Sequence, residues 1–180
     1  MTLAAVAVGD ALTSRSIASV RNVLFLLIAG TSCVVMTGLP EVFFPALPDR
    51  LMMVLKAGLG PLAGAMGLYY LSNWLGGVRE DSLVHRFTVM GGAVLLLAAL
   101  ALAAVATRVA PTNFRDLLVL AAAVNMVPVL LALLAVRRAH QLGDPLARWM
   151  SVGIVCLAAT TAGLYARGLS LPGLGLGTWL

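Results

Sequence analysis

A chain of 180 residues that is 61% hydrophobic and 11% charged, with a mean hydropathy of +1.02, cannot cover its own surface in water; soluble domains carry about 25% charged residues. An integral helical membrane protein is the class that remains. The 12 Lys+Arg and 7 Asp+Glu leave a formal charge of +5. These charges lie between apolar runs, where orientation in a bilayer accounts for them without a nucleic-acid partner.

Met1 to Val8 is apolar but ends at Gly9-Asp10, too short to cross a bilayer. Without a basic start it does not read as a secretory signal. It reads as an amphipathic start or as the tail of a helix whose beginning is missing. Thr13-Ser14-Arg15-Ser16 is a polar break. The first span is predicted over 20–39, about 30 Å of helix, stopped at Gly38-Leu39-Pro40 because proline disfavours helix in the residue before it. A connection with Pro45 and Pro48 leads to the second span, 51–75, whose Tyr69, Tyr70 and Trp74 suit an interfacial aromatic belt.

The stretch 76–86 is polar and contains Arg79, Glu80, Asp81 and His85. The third span, 87–107, is almost pure Ala, Leu, Val and Gly, and a tight connection with Pro111 follows. The fourth span, 117–136, runs into the basic connection 137–148, and the fifth span is 149–166. The fold class expected is therefore all-α: a polytopic transmembrane bundle of five spans plus a partial N-terminal helix, forming a single integral membrane domain over 1–180. The Gly-rich end, 172–180, looks like a connection about to enter another helix, so both ends read as cut.

Basic residues concentrate on the cytoplasmic side of membrane helices. One set of alternate connections holds seven (Arg15, Arg21, Arg79, Arg86, Arg137, Arg138, Arg148), the other four (Arg50, Arg108, Arg115, Arg167). Connections 13–19, 76–86 and 137–148 are thus predicted cytoplasmic.

Few residues carry chemistry. Apart from Arg21 at the very start of the first span, Lys56 is the one basic residue inside a span; intramembrane charge is costly and often functional, although six residues beyond Arg50 its stem can also snorkel to the outer surface. Asn125 and Pro128 form an Asn-x-x-Pro group in the fourth span. There the proline removes a backbone hydrogen bond, and the amide can reoccupy the freed carbonyl or bond a neighbouring helix. This is a candidate hinge or a structural kink. Gly60 and Gly64, four apart, place small residues on one face and permit close approach of another helix, within the chain or in a dimer. Cys33 and Cys156 lie deep in apolar runs and read as packing residues. His85 and His140 sit in predicted connections, away from the bundle interior where a haem ligand belongs. No carboxylate pair, metal-ligand spacing or phosphate-cradling loop occurs in the spans, so no catalytic, cofactor or metal site is expected.

Three stretches carry a family resemblance: Ala135-Val136-Arg137-Arg138-Ala139; Gly143-Asp144-Pro145-Leu146-Ala147-Arg148-Trp149; and Leu164-Tyr165-Ala166-Arg167-Gly168-Leu169-Ser170-Leu171-Pro172. Gly38-Leu39-Pro40-Glu41-Val42-Phe43-Phe44-Pro45 adds to them. In these the chain resembles the membrane domain of bacterial seven-transmembrane receptors with diverse intracellular signalling modules. The resemblance implies a sensory or transducing domain running from the end of helix one through helix six. Helix seven and an output module, a histidine kinase or a diguanylate cyclase, would lie outside this chain, fused or separate. It also implies a bacterial inner membrane as the location and a two-state bundle in the lipid bilayer acting on a dimeric output module. The Gly60/Gly64 face would allow a homodimer, and with no catalytic signature no enzyme is expected within the chain itself. Lys56, Asn125 and Pro128 are where bistability is expected, but the family's motifs assign no functional residue. The alternatives are a small transporter or channel subunit and a structural subunit of a membrane complex.

Overall fold

Runs of Ala, Leu, Val and Gly uninterrupted by charge make helix the one local structure that satisfies every backbone polar group without water. The computed structural model describes residues 17–74 and 82–169, and helix dominates both stretches. In chain order the elements are α1 (Ile17–Met36), α2 (Leu39–Phe43), α3 (Asp49–Trp74), α4 (Ser82–Ala106), a 3₁₀ turn (Pro111–Asn113), α5 (Phe114–Gln141) and α6 (Ala147–Gly168). Four of them, α3 to α6, are long and apolar enough to cross a membrane; α1 carries a shorter apolar stretch, Val20–Met36. Predicted connections 13–19 and 76–86 fall largely outside the described residues, as do the stretches 1–8 and 172–180.

Several boundaries differ from the sequence expectation. α1 ends at Met36, because Gly38 adopts a left-handed conformation (φ 78°) and the separate short helix α2 then begins at Leu39 with Pro40 in its first turn. Proline in a first helical turn forfeits no hydrogen bond, since the N–H groups there have no partner within the helix. At the other end of the bundle α5 does not stop at 136. Arg137, Arg138 and His140 belong to its last turns, not to the connection. Arginine is a good helix former, and cations are favoured at the negative end of the helix dipole. Gly143 (φ 90°) ends the helix instead. Its N–H bonds the His140 carbonyl at 3.1 Å, and the Asp144 N–H bonds the Ala139 carbonyl at 3.2 Å, the 5→2 and 6→1 pair of a Schellman motif. Asp144 Oδ1 then accepts from the Leu146 N–H at 2.8 Å and turns the chain into α6. His85, predicted in a connection, lies in α4.

α3 is the axis of the bundle: α1, α4 and α5 all pack against it, α6 packs on α5, and α6 meets α1 only marginally. The buried side chains form three levels. Met36, Ala57, Leu102, Leu118 and Tyr165 belong to the one near the α2 end. Ala65, Leu68 and Leu95 make the middle one, and Leu71, Ala135, Val136, Ala139 and Ala147 the one near the α5–α6 turn. α3 contributes to each. Polar contacts stitch the helix ends together: Arg50 Nη1 donates to the Thr107 carbonyl at 2.7 Å, Arg21 Nη1 to Asn73 Oδ1 at 2.8 Å, and Ser72 Oγ and His85 Nδ1 share a hydrogen bond of 2.8 Å. Outward-facing Val94, Leu97 and Leu100 on α4, and Leu130 and Leu134 on α5, are each more than half exposed. That apolar surface fits lipid rather than water.

Candidate functional site: a groove between the first and last helices

Because α1 leans on α3 and α6 on α5, the two outer helices leave a groove of about 560 Å³ between them. That is within the range of sites for small organic ligands. α3 floors it with Gly60, Gly64 and Gly67; Phe25 and Cys33 of α1 line one wall, Trp149 and Gly153 of α6 the other. None of its lining residues is charged. Phe25 also stacks on Tyr70 of α3, with ring centroids 5.8 Å apart, which fixes the α1 wall to the floor.

The floor is built from missing side chains. A Cβ on Gly64 would lie 2.6 Å from Pro128 Cγ, and one on Gly60 would collide with the Tyr165 hydroxyl while lying 3.3 Å from Asn125 Nδ2. Gly60 and Gly64 therefore share one face of α3, turned to α5 and α6, whereas Gly58 abuts Ala103 of α4 and Gly67 the ring of Phe25. Asn125 and Pro128, three apart on α5, both reach this face; both are buried, Asn125 to 7% exposure. α5 remains helical through Pro128.

Tyr165 completes the site. It sits near the last turn of α6, where helical side chains lean back toward the N-terminus and thus into the bundle. Its side chain is buried to 4% exposure and its hydroxyl has no hydrogen-bond partner. An unpartnered buried hydroxyl costs about 1–3 kcal/mol. The Tyr165 hydroxyl and the Asn125 amide converge over Gly60 at the bottom of a mostly apolar groove, whose lining also includes Ser32, Tyr70 and Thr161.

The remaining sequence candidates lie elsewhere. Lys56 does not line the groove; its Nζ pairs with Glu41 Oε1 of α2 at 2.6 Å, with the two side chains 22% and 46% exposed. Tyr69 and Tyr70 sit between helices, Tyr69 against Gly92 and Tyr70 on Phe25, instead of forming a girdle. Cys33 and Cys156 are both exposed on helix surfaces, not packed. No cluster of His, Cys, Asp or Glu suited to a metal ion occurs among the described residues. Tyr165 is the groove residue that sequence reasoning passed over. A tyrosine at a helix end ordinarily reads as an interfacial anchor, and only its spacing of four from Thr161, another groove residue, hinted at an inward stripe.

The fold and the groove define a helical bundle of the multi-pass membrane class. No protein-family model, curated protein or solved structure matches the chain.

Proposed function

We propose that the bundle is the membrane-embedded sensory or transducing part of a bacterial signalling protein. In this reading α1 and α3 to α6 are five spans of the inner membrane, and the Arg-rich ends are cytoplasmic. The chain senses and transmits; catalysis belongs to a cytoplasmic module, a kinase or cyclase, fused to it or separate.

The observation that carries the reading is the continuity of α5. One helix presents Asn125 and Pro128 at the groove and Arg137, Arg138 and His140 at its end. Pro128 lacks the N–H that would close the helical bond to the Val124 carbonyl, and such gaps are where helices bend. A stimulus that prefers one bend shifts the population of the two arrangements, and the basic end moves with the helix as a rigid element.

Spin labels at Ser82 and His140, both exposed, test this by pulsed dipolar distances in bilayers. Two distance populations are expected, with Pro128→Ala changing their ratio while insertion into the membrane stays intact. A single population, identical in both forms, refutes the hinge. That result together with solute flux into liposomes carrying the chain would put the transporter reading ahead.

A further inference from the structure

The groove has a polar end and a long apolar remainder, and the two together specify an occupant. At the polar end the Tyr165 hydroxyl is buried without a partner, and the Asn125 amide lies beside it over Gly60. A tyrosine O–H and an amide N–H₂ are both donors, and a single carbonyl oxygen has lone pairs for two. From there the α6 wall runs from Tyr165 to Trp149, sixteen residues or about 24 Å of helix, lined by apolar and small side chains.

We propose that this groove binds a neutral, single-chain membrane lipid whose polar group is a carbonyl, with that oxygen on Tyr165 and Asn125 and the chain running toward Trp149 and Trp74.

Two features select this occupant over a bilayer phospholipid. Asn125 is eleven residues into α5 from Phe114, about 16 Å, so the polar pair lies well inside a hydrocarbon layer about 30 Å thick. A phospholipid head is tied to the interface and cannot descend that far. A charged head would also find no counter-charge, since the groove lining holds none, and burying an unpaired charge there is heavily penalised. A neutral lipid dissolved in the membrane enters through the open side between α1 and α6; because the orphan hydroxyl has almost no accessible surface, a small shift of the Tyr165 ring accompanies its bond to the carbonyl. Such a lipid would supply the stimulus for the sensory reading. The inference does not require that reading, because binding is measured without any output.

The test uses the full chain in phospholipid nanodiscs, with Trp179→Phe so that Trp74 and Trp149, both groove residues, are the tryptophans left. The probe is the methyl ester of a dibrominated C18 fatty acid, which quenches tryptophan at close range; the free acid at neutral pH and a dibrominated alkane are the controls. The expected result is saturable quenching by the ester, displaced by the unbrominated ester and far weaker with the acid. Tyr165→Phe should weaken ester binding about 3- to 10-fold, the worth of one hydrogen bond, and leave the alkane unaffected. Gly153→Leu should abolish ester binding. A Cβ there meets nothing within 4 Å, so the leucine fills the groove without disturbing the fold. Quenching that rises linearly with probe fraction and ignores both substitutions would put ordinary acyl chains in the groove. Absent quenching from a chain of dimeric mass would put a second copy there. Either result overturns the proposal. Saturable ester binding that leaves the Ser82–His140 distance unchanged would instead sink the sensory reading alone.

Discussion

Gly64→Ala gives the sharpest test of the packing. The added Cβ would stand 2.6 Å from Pro128 Cγ and 3.1 Å from Pro128 Cβ, against a favourable carbon–carbon separation of about 3.5–4.0 Å. The proline ring cannot swing aside as a flexible side chain would, because its atoms close onto the α5 backbone. Relief requires α3 and α5 to separate by close to 1 Å, and overpacking of this kind costs about 1–3 kcal/mol. Replacing a helical glycine by alanine also returns up to about 1 kcal/mol of helix propensity. Gly163→Ala on α6 isolates that second effect, since a Cβ there meets nothing within 4 Å. The propensity gain largely cancels between the two variants, so Gly64→Ala should be less stable than Gly163→Ala by about 1–3 kcal/mol. Unfolding by SDS in mixed micelles, followed by helical circular dichroism, measures the difference. Equal midpoints for the two variants would refute the close approach of α3 to Pro128.

Gly60→Ala should destabilise by colliding with the Tyr165 hydroxyl, and Tyr165→Phe should recover part of the loss. A coupling of about 1–2 kcal/mol is expected in the same titration, and simple additivity would show that the two residues do not meet. Tyr165→Phe alone should be neutral or mildly stabilising in the absence of ligand, because it removes an unsatisfied polar atom; a large loss would mean the hydroxyl has a partner. Lys56→Ala should cost no more than about 1 kcal/mol, since its pair with Glu41 is partly exposed and screened. Amide exchange across Leu39–Phe43 should nonetheless quicken as α2 loses its tether, and unchanged exchange would mean that pair does not hold α2.

The all-helical class and the location of the apolar stretches were legible because hydropathy and proline placement are local properties of the chain. Gly60 and Gly64 were also legible as a small face, since a spacing of four is read directly along a helix. Which helix that face meets was not. The spans are apolar on every side, so no amphipathic stripe marks which way each one is turned, and the groove depends on that rotation. The ends of α4 and α5 were misplaced for a related reason. Arg137, Arg138 and His85 are polar enough to leave the membrane yet continue helices that outrun it. Tyr165 went unnoticed because its role comes from a collision avoided across space, at Gly60, more than a hundred positions away.

The central position of α3 also sets an order of assembly. Read in the direction of synthesis, α1 waits for α3, and then α4 and α5 each arrive beside a helix already inserted. α6 comes last and docks on α5, the helix just before it. Apart from the Gly60 face of α3, which waits through α4 and α5 for Tyr165, and the marginal contact of α1 with α6, each helix packing forms with at most one span intervening, which shortens the time in which wrong partners can compete. The groove has no second wall until α6 is in place, so whatever it binds can be admitted only once the whole bundle has been built.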